Sequence, residues 1–227
     1  MFWVEEYSMN DTHNHIIYKN YVKRILDIIC GLAAVIVFCW LYLIIAILVK
    51  VKLGSPVIYV AERAGKIDPK TGKEKVFKLY KFRSMTNEKD NDGNLLPDTK
   101  RLTKFGRLLR ATSLDELPEA FNIIKGDMSV IGPRPLPVVY LPYYTKEERH
   151  RHDVRPGLSG YAQVHGRNSL SWEDKFRLDL QYIDNISFFK DVKIVFQTVV
   201  KAIRRADIGQ GEEAPGSLHI LRGYNQK

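Results

Sequence analysis

From Ile28 to Val49 the chain runs for 22 residues without a charge. As a helix this stretch is about 33 Å long, just enough to cross the hydrocarbon core of a bilayer. It is too long and too uniformly apolar for an ordinary core helix. The flanks constrain it further. Lys23 and Arg24 precede the run, Asp27 stands at its mouth, and Lys50 and Lys52 follow it. Basic residues favour the cytoplasmic side of a membrane. A spanning helix puts one of these pairs on the wrong side, whereas a helix that dips in and returns keeps both on the same side. The expectation is therefore a re-entrant or shallow membrane helix within residues 23–53. The polar segment 1–22 before it lacks the pattern of a cleaved leader.

The remainder is basic and rich in turn signals. Lys+Arg 35 against Asp+Glu 26 gives a net charge of +9, which favours an anionic partner: phosphates, a lipid surface or nucleic acid. The two cysteines, Cys30 and Cys39, both lie in the apolar run, which is neither a disulfide framework nor a zinc pattern. Gly54-Ser55-Pro56 ends the run. Val57 to Val60 and Val76 to Arg83 read as strands of a short hairpin, with turn signals at Asp68-Pro69 and Thr71-Gly72. Asn87 to Asp98 is a polar loop. It is not an EF-hand, because the twelfth position counted from Asp90 is Arg101 instead of an acid. Arg101, Lys104, Arg107 and Arg110 alternate with Leu102, Phe105, Leu108 and Leu109 as one basic amphipathic helix. That helix suits an anionic membrane surface, nucleic acid or plain solvent.

Leu141 to Arg151 reads as helical; its His150 and His152 point to different faces and make a poor metal pair. Two more helices follow, Trp172 to Asn185 and Phe188 to Arg205. In the second, Phe189, Val192, Phe196, Val199 and Ile203 trace one face, suited to a core or to a membrane interface. Residues 206–227 read as a loose tail. The expected fold class is mixed α/β and mostly helical. It combines the membrane-embedded helix, a cytosolic catalytic domain at 54–205 with a short β-hairpin, and amphipathic interfacial helices.

The chemistry centres on Ser113-Leu114-Asp115-Glu116-Leu117-Pro118. Ser113 and Glu116 have capping-box spacing, Pro118 fits only a first helical turn, and Gly126 is a stop signal. Asp115 and Glu116 should thus stand at or just before a helix N-terminus, where the positive end of the helix holds a carboxylate ionised. An ordinary acidic first turn gives the same pattern. Gly132-Pro133-Arg134-Pro135 fixes one guanidinium between two prolines, suited to bidentate phosphate contact. Together these features suit phosphoryl chemistry on a lipid-borne or nucleotide substrate. A carboxylate can act as the nucleophile, with magnesium neutralising phosphate charge. A non-catalytic basic module on anionic lipid is the rival reading. A nucleic-acid partner is disfavoured by the apolar run.

The chain resembles the monotopic phosphoglycosyl transferases, the bacterial sugar transferase family, from about Lys23 to Arg205. The resemblance rests on motifs in order: Lys23-Arg24; Tyr80-Lys81-Phe82-Arg83-Ser84-Met85; Ser113 to Pro118; Lys125-Gly126-Asp127-Met128-Ser129; Gly132 to Pro135; and Arg155-Pro156-Gly157 leading to Gln163-Val164-His165-Gly166-Arg167-Asn168. The chain resembles in particular the small single-domain members that transfer a bacillosamine-type sugar phosphate. The resemblance implies transfer of a sugar-1-phosphate from a UDP-sugar to undecaprenyl phosphate, releasing UMP, at the cytoplasmic face of the bacterial inner membrane. It implies a ping-pong route in which Asp115 is the nucleophile and a ligand of Mg2+, and Glu116 takes a proton from the incoming lipid phosphate. It further implies that Arg110, Arg134, Lys81 and Arg83 grip phosphates, and that Arg155 and Arg167 contact nucleotide or sugar or else brace their turns. One departure stands out. Family members usually break the membrane helix with Ser-Pro, whereas this chain has Cys39-Trp40 there, leaving Gly31 as a weaker bend point.

Overall fold

A computed structural model describes residues 16–166, 170–204 and 217–224. The apolar run forms two helices. A π-helical turn, Tyr18–Val22, leads into α1 (Lys23–Val37), and α2 (Cys39–Leu53) follows. The two are bent by 64° at Phe38. Phe38 leaves helical geometry, with φ −100 and ψ 11. Its N–H still reaches Ala34 O at 3.1 Å, and its carbonyl accepts from Leu41 and Tyr42. The bend therefore needs no proline. Gly31 is not the bend point. It is where α1 crosses the helix α5 (Glu119–Lys125): a Cβ there would lie 2.9 Å from Ile124 Cγ1. No single helix among the described residues is long and apolar enough to cross a membrane, although the bent pair passes by length and composition.

Both ends of this pair are fastened to one body. At the first end, Lys23 Nζ lies 2.6 Å from Asp191. Arg24 donates to the carbonyls of Ile123 and Ile124 at 2.6 and 2.8 Å. Asp27 accepts from Ser129 Oγ at 2.9 Å and Val130 N at 2.8 Å. At the second end, Ile45 and Val49 pack on Phe82 and Leu109. The Arg83 guanidinium there donates to the carbonyls of Leu53 and Ser55. Lys23 and Arg24 are thus committed to protein partners and are not free flanking charges. The wide apolar surface near the bend is bare: Ile36 is 70% exposed and Leu43 64%.

The hairpin is β1 (Ile58–Ile67) against β2 (Glu74–Phe82), antiparallel with Tyr59 opposite Lys81. Its β-branched and aromatic residues suit a half-buried pleat. The expected single basic helix is two, α3 (Asp98–Arg101) and α4 (Lys104–Ala111). Leu102 is extended, and Thr103 Oγ1 caps α4 by accepting from Gly106 N at 3.0 Å. Gly106 lets α4 touch the Ser84 backbone, since a Cβ would fall 1.8 Å from that carbonyl oxygen. Asn122, fully buried, ties α5 to β2 through Lys78 O at 2.7 Å and Tyr80 N at 3.0 Å. Beyond α5, β3 (Ser129–Ile131) pairs in parallel with β4 (Gly157–Ser159). Between them the expected helix at Leu141 to Arg151 is two 3-10 turns, Val138–Tyr143 and Glu148–His152. Pro142 inside the first turn denies an α-helix its donor.

Three helices complete the body: α6 (Tyr161–His165), α7 (Trp172–Asp184) and α8 (Phe188–Arg204). The face of α8 that carries Phe189, Val192, Phe196 and Val199 is bare, with Phe189 83% exposed and Phe196 69%. Core packing uses Asp191 and Ile194 instead. The tail is also not wholly loose. Helix α9 (Leu218–Tyr224) packs through the buried Leu218 against Tyr140, Trp172 and Phe176.

Candidate active site

A cleft of about 780 Å3 opens between β2, α4, the Asp115 turn and α7. Asp115 and Glu116 occupy a 3-10 turn, Leu114–Glu116, just ahead of α5. Pro118 caps α5, and Gly126, at φ 95, ends it. The capping box does not form. Ser113 takes a left-handed backbone, φ 55, and makes no side-chain cap. This turns the chain so that Asp115 is buried at 7% exposure while still lining the cleft.

The two acids are in different electrostatic settings. Burial, and then the neighbouring Glu116, push the Asp115 carboxyl up to about 6, against weaker pulls from Lys81 and Arg110. Glu116 is also desolvated, but Arg134 and Lys81 together hold it well below the usual carboxylate range. Their distances to Glu116 Oε1 are 3.1 and 2.7 Å. The carboxylate most firmly held in its ionised form is therefore Glu116, whereas burial makes Asp115 the more basic of the two. Seven residues of α5 supply little dipole against that burial. A third acid, Glu119, lies 3.0 Å from Lys81 Nζ and is almost fully buried. Burial and Glu116 push its carboxyl up. Its i,i+3 spacing from Glu116 was the available sequence signal.

Lys81, Arg110, Asp115, Glu116 and Arg134 all line the cleft. Arg110 is oriented by Ser84, to whose Oγ its Nε donates at 2.9 Å. Arg83 borders the cleft, but its guanidinium is spent on the carbonyls that end α2. Arg155 is a brace: its Nε donates to Gly126 O at 2.9 Å, and it is not among the cleft-lining residues. Arg167 lies outside the described residues. Sequence reasoning missed the wall made by Trp172, Lys175 and Phe176, and the buried Arg151–Asp179 pair behind it at 2.8 Å.

No cluster of three or more potential metal-ligating side chains stands together among the described residues. Magnesium in phosphate chemistry does not need one, because it takes one or two carboxylates and completes its shell with phosphate oxygens and water. Asp115 fits that requirement. Among the described residues it lines the cleft and enters no salt bridge, whereas Glu116 enters two.

Residues 18–205 match the family described as Bacterial sugar transferase. The chain is 48% identical over 192 residues to the "Uncharacterized sugar transferase EpsL" of Bacillus subtilis (strain 168), covering 83% of this chain and 91% of that one. It is 40% identical over 190 residues to a "UDP-glucose:undecaprenyl-phosphate glucose-1-phosphate transferase" of Klebsiella pneumoniae, covering 79% and 39%. It is 37% identical over 187 residues to a "UDP-N-acetylgalactosamine-undecaprenyl-phosphate N-acetylgalactosaminephosphotransferase" of Aeromonas hydrophila, covering 79% and 43%. The chain thus spans most of the Bacillus protein and about two-fifths of the two longer ones. With the match running from before α1 to the end of α8, this chain belongs to the bacterial sugar transferase family.

Proposed function

We propose that this protein moves a sugar-1-phosphate from a UDP-sugar to undecaprenyl phosphate, releasing UMP, through a covalent intermediate on Asp115. The observation that carries the reading is the contrast within one turn. Asp115 is buried, lines the cleft and enters no salt bridge among the described residues, while Glu116 beside it is gripped by Lys81 and Arg134. A carboxylate whose pKa is raised to about 6 is more basic than an ordinary aspartate and still largely ionised near neutral pH.

In the first half-reaction an Asp115 carboxylate oxygen forms a bond to the phosphorus that bears the sugar. The bond from that phosphorus to the bridging oxygen breaks, and UMP leaves. In the second, an oxygen of undecaprenyl phosphate attacks the same phosphorus and Asp115 is released. Lys81, Arg110 and Arg134 offset phosphate charge. Glu116 at rest is a weak base because of its two cations. An arriving phosphate competes for those cations, which restores its basicity for taking the acceptor's proton. Magnesium, when bound at Asp115, would neutralise diphosphate charge.

The membrane assignment rests on the fastening of both ends of the bent pair to one body, which favours a helix pair that enters and leaves on the same side. The bare apolar faces of α1, α2 and α8 fit that placement. We assign it to the cytoplasmic face of the bacterial inner membrane. The test is to incubate solubilised protein with undecaprenyl phosphate, magnesium and a panel of UDP-sugars and to measure freed UMP. Turnover with at least one sugar is expected, abolished by Asp115→Asn while membrane association persists. Binding to anionic vesicles without UMP release from any sugar would favour the non-catalytic module.

A further inference from the structure

The segment 217–224 lies beyond the family-matched residues, yet it is tied into the cleft wall. Arg222 pairs with both carboxylate oxygens of Glu148 at 2.7 Å and donates to Tyr143 O at 2.6 Å. Its guanidinium lies 5.5 Å from the ring centroid of Phe176. Arg151 lies 5.7 Å from that same ring. Arg151 in turn donates to Asp179 and to Arg134 O, both at 2.8 Å. Leu218 is fully buried among Tyr140, Trp172 and Phe176, and His219 rests 5.7 Å from Tyr140. A connected set of contacts thus runs from α9 through Phe176 and Arg151 to the backbone of the arginine that holds Glu116.

We infer that α9 is a donor-side brace: it fixes the Trp172, Lys175 and Phe176 wall of the cleft, which takes the part of the UDP-sugar distal to the reacting phosphate. This inference rests on the proposed function. The donor is assigned to this wall on chemical grounds. A polyprenyl acceptor must arrive from the apolar side, where α2 packs on Phe82 and Leu109 and where Ser84 and Arg110 line the cleft. The α7 wall instead presents the half-buried Lys175 to the cleft, its Nζ 4.7 Å from the Trp172 ring centroid, with the buried Trp172 and Phe176 rings holding it from behind. A cation on the side away from the bare apolar helices suits a water-soluble, anionic ligand. Arg222 does not line the cleft, so it acts by positioning.

The experiment compares full-length wild type with Arg222→Gln, Arg222→Lys and Leu218→Ala. For each, kcat, the KM of each substrate and the equilibrium binding of UDP-sugar without acceptor are measured. Arg222→Gln and Leu218→Ala should weaken donor binding and raise donor KM roughly tenfold, with kcat and acceptor KM within about twofold, since only donor affinity is touched. Arg222→Lys, which keeps the charge but not the two-pronged pairing, should recover part of the loss. Unchanged donor binding in every variant would overturn the inference, as would parallel losses in kcat and both KM values, the mark of a general structural role. Failure of the wild type itself to bind or turn over any UDP-sugar would strike the proposed function instead.

Discussion

One buried carboxylate, Asp191, ties the first turn of α1 to the body, and its removal gives a test whose size follows from the geometry. Asp191 is 6% exposed. It accepts from Tyr18 Oη and Tyr182 Oη, each at 2.7 Å, and from Lys23 Nζ at 2.6 Å. The Lys23 side chain is itself only 12% exposed. Asp191→Asn keeps the shape but strands a lysine charge where water hardly reaches. It also turns an amide donor toward one of the two hydroxyls. Breaking a buried pair by removing one partner costs about 3–5 kcal/mol. For a chain of this size each kcal/mol lowers the unfolding midpoint by about 2–4 °C, so the drop should be about 6–20 °C. The double variant Lys23→Met with Asp191→Asn removes both charges, and replacing a buried pair by neutral groups is often nearly free. It should therefore recover more than half of the single-variant loss. Thermal unfolding in detergent, followed by tryptophan fluorescence, completes the double-mutant cycle. A single-variant cost under about 1 kcal/mol, or strictly additive effects, would refute the claim that this pair fastens α1.

Asp115→Asn should stabilise the fold at alkaline pH while abolishing turnover. Below about pH 4 both folded and unfolded chains hold the proton, so the substitution is neutral there. Above about 6 the folded chain has surrendered a proton it binds more tightly than the unfolded chain does, and asparagine relieves a cost of about 3 kcal/mol at most; unfolding midpoints at pH 4 and 8 check the sign. Gly31→Leu should force α1 off Ile124, lowering stability by roughly 1–3 kcal/mol in the same unfolding assay. Single cysteines at Lys19 and Lys70, with Cys30 and Cys39 replaced by serine, should be labelled by an impermeant reagent from the same side of the membrane. Opposite-side labelling would exclude a re-entrant pair.

The parts of this fold that were legible in the sequence are those set by local chemistry. The hairpin follows from β-branched residues around two turn signals. The stop at Gly126 follows from its freedom at φ 95. The apolar run was evident from length alone, and its bend was expected from the basic flanks. The physical reason differs: Lys23 and Arg24 are fixed by Asp191 and by the carbonyls of α5, so the flank is held by protein contacts. What local pattern does not reveal is which of several cations is already in use. Arg83, Arg110 and Arg134 look alike in sequence. The structure spends the first on ending α2, orients the second by Ser84 and turns the third to Glu116. The capping box at Ser113 and Glu116 was legible but wrong, because Ser113 adopts a left-handed backbone and Glu116 has two cations to satisfy. Helix α9 and the α7 wall escaped notice because their meaning lies in contacts across long sequence separations, such as Arg222 with Glu148.

Mass analysis of the peptide that bears Asp115, after incubation with UDP-sugar and magnesium but without any lipid acceptor, addresses the covalent step directly. A mass increase equal to one phosphosugar is expected, accompanied by one equivalent of UMP and discharged when undecaprenyl phosphate is added. UMP formed only after the acceptor is supplied, with Asp115 unmodified throughout turnover, would contradict the covalent step.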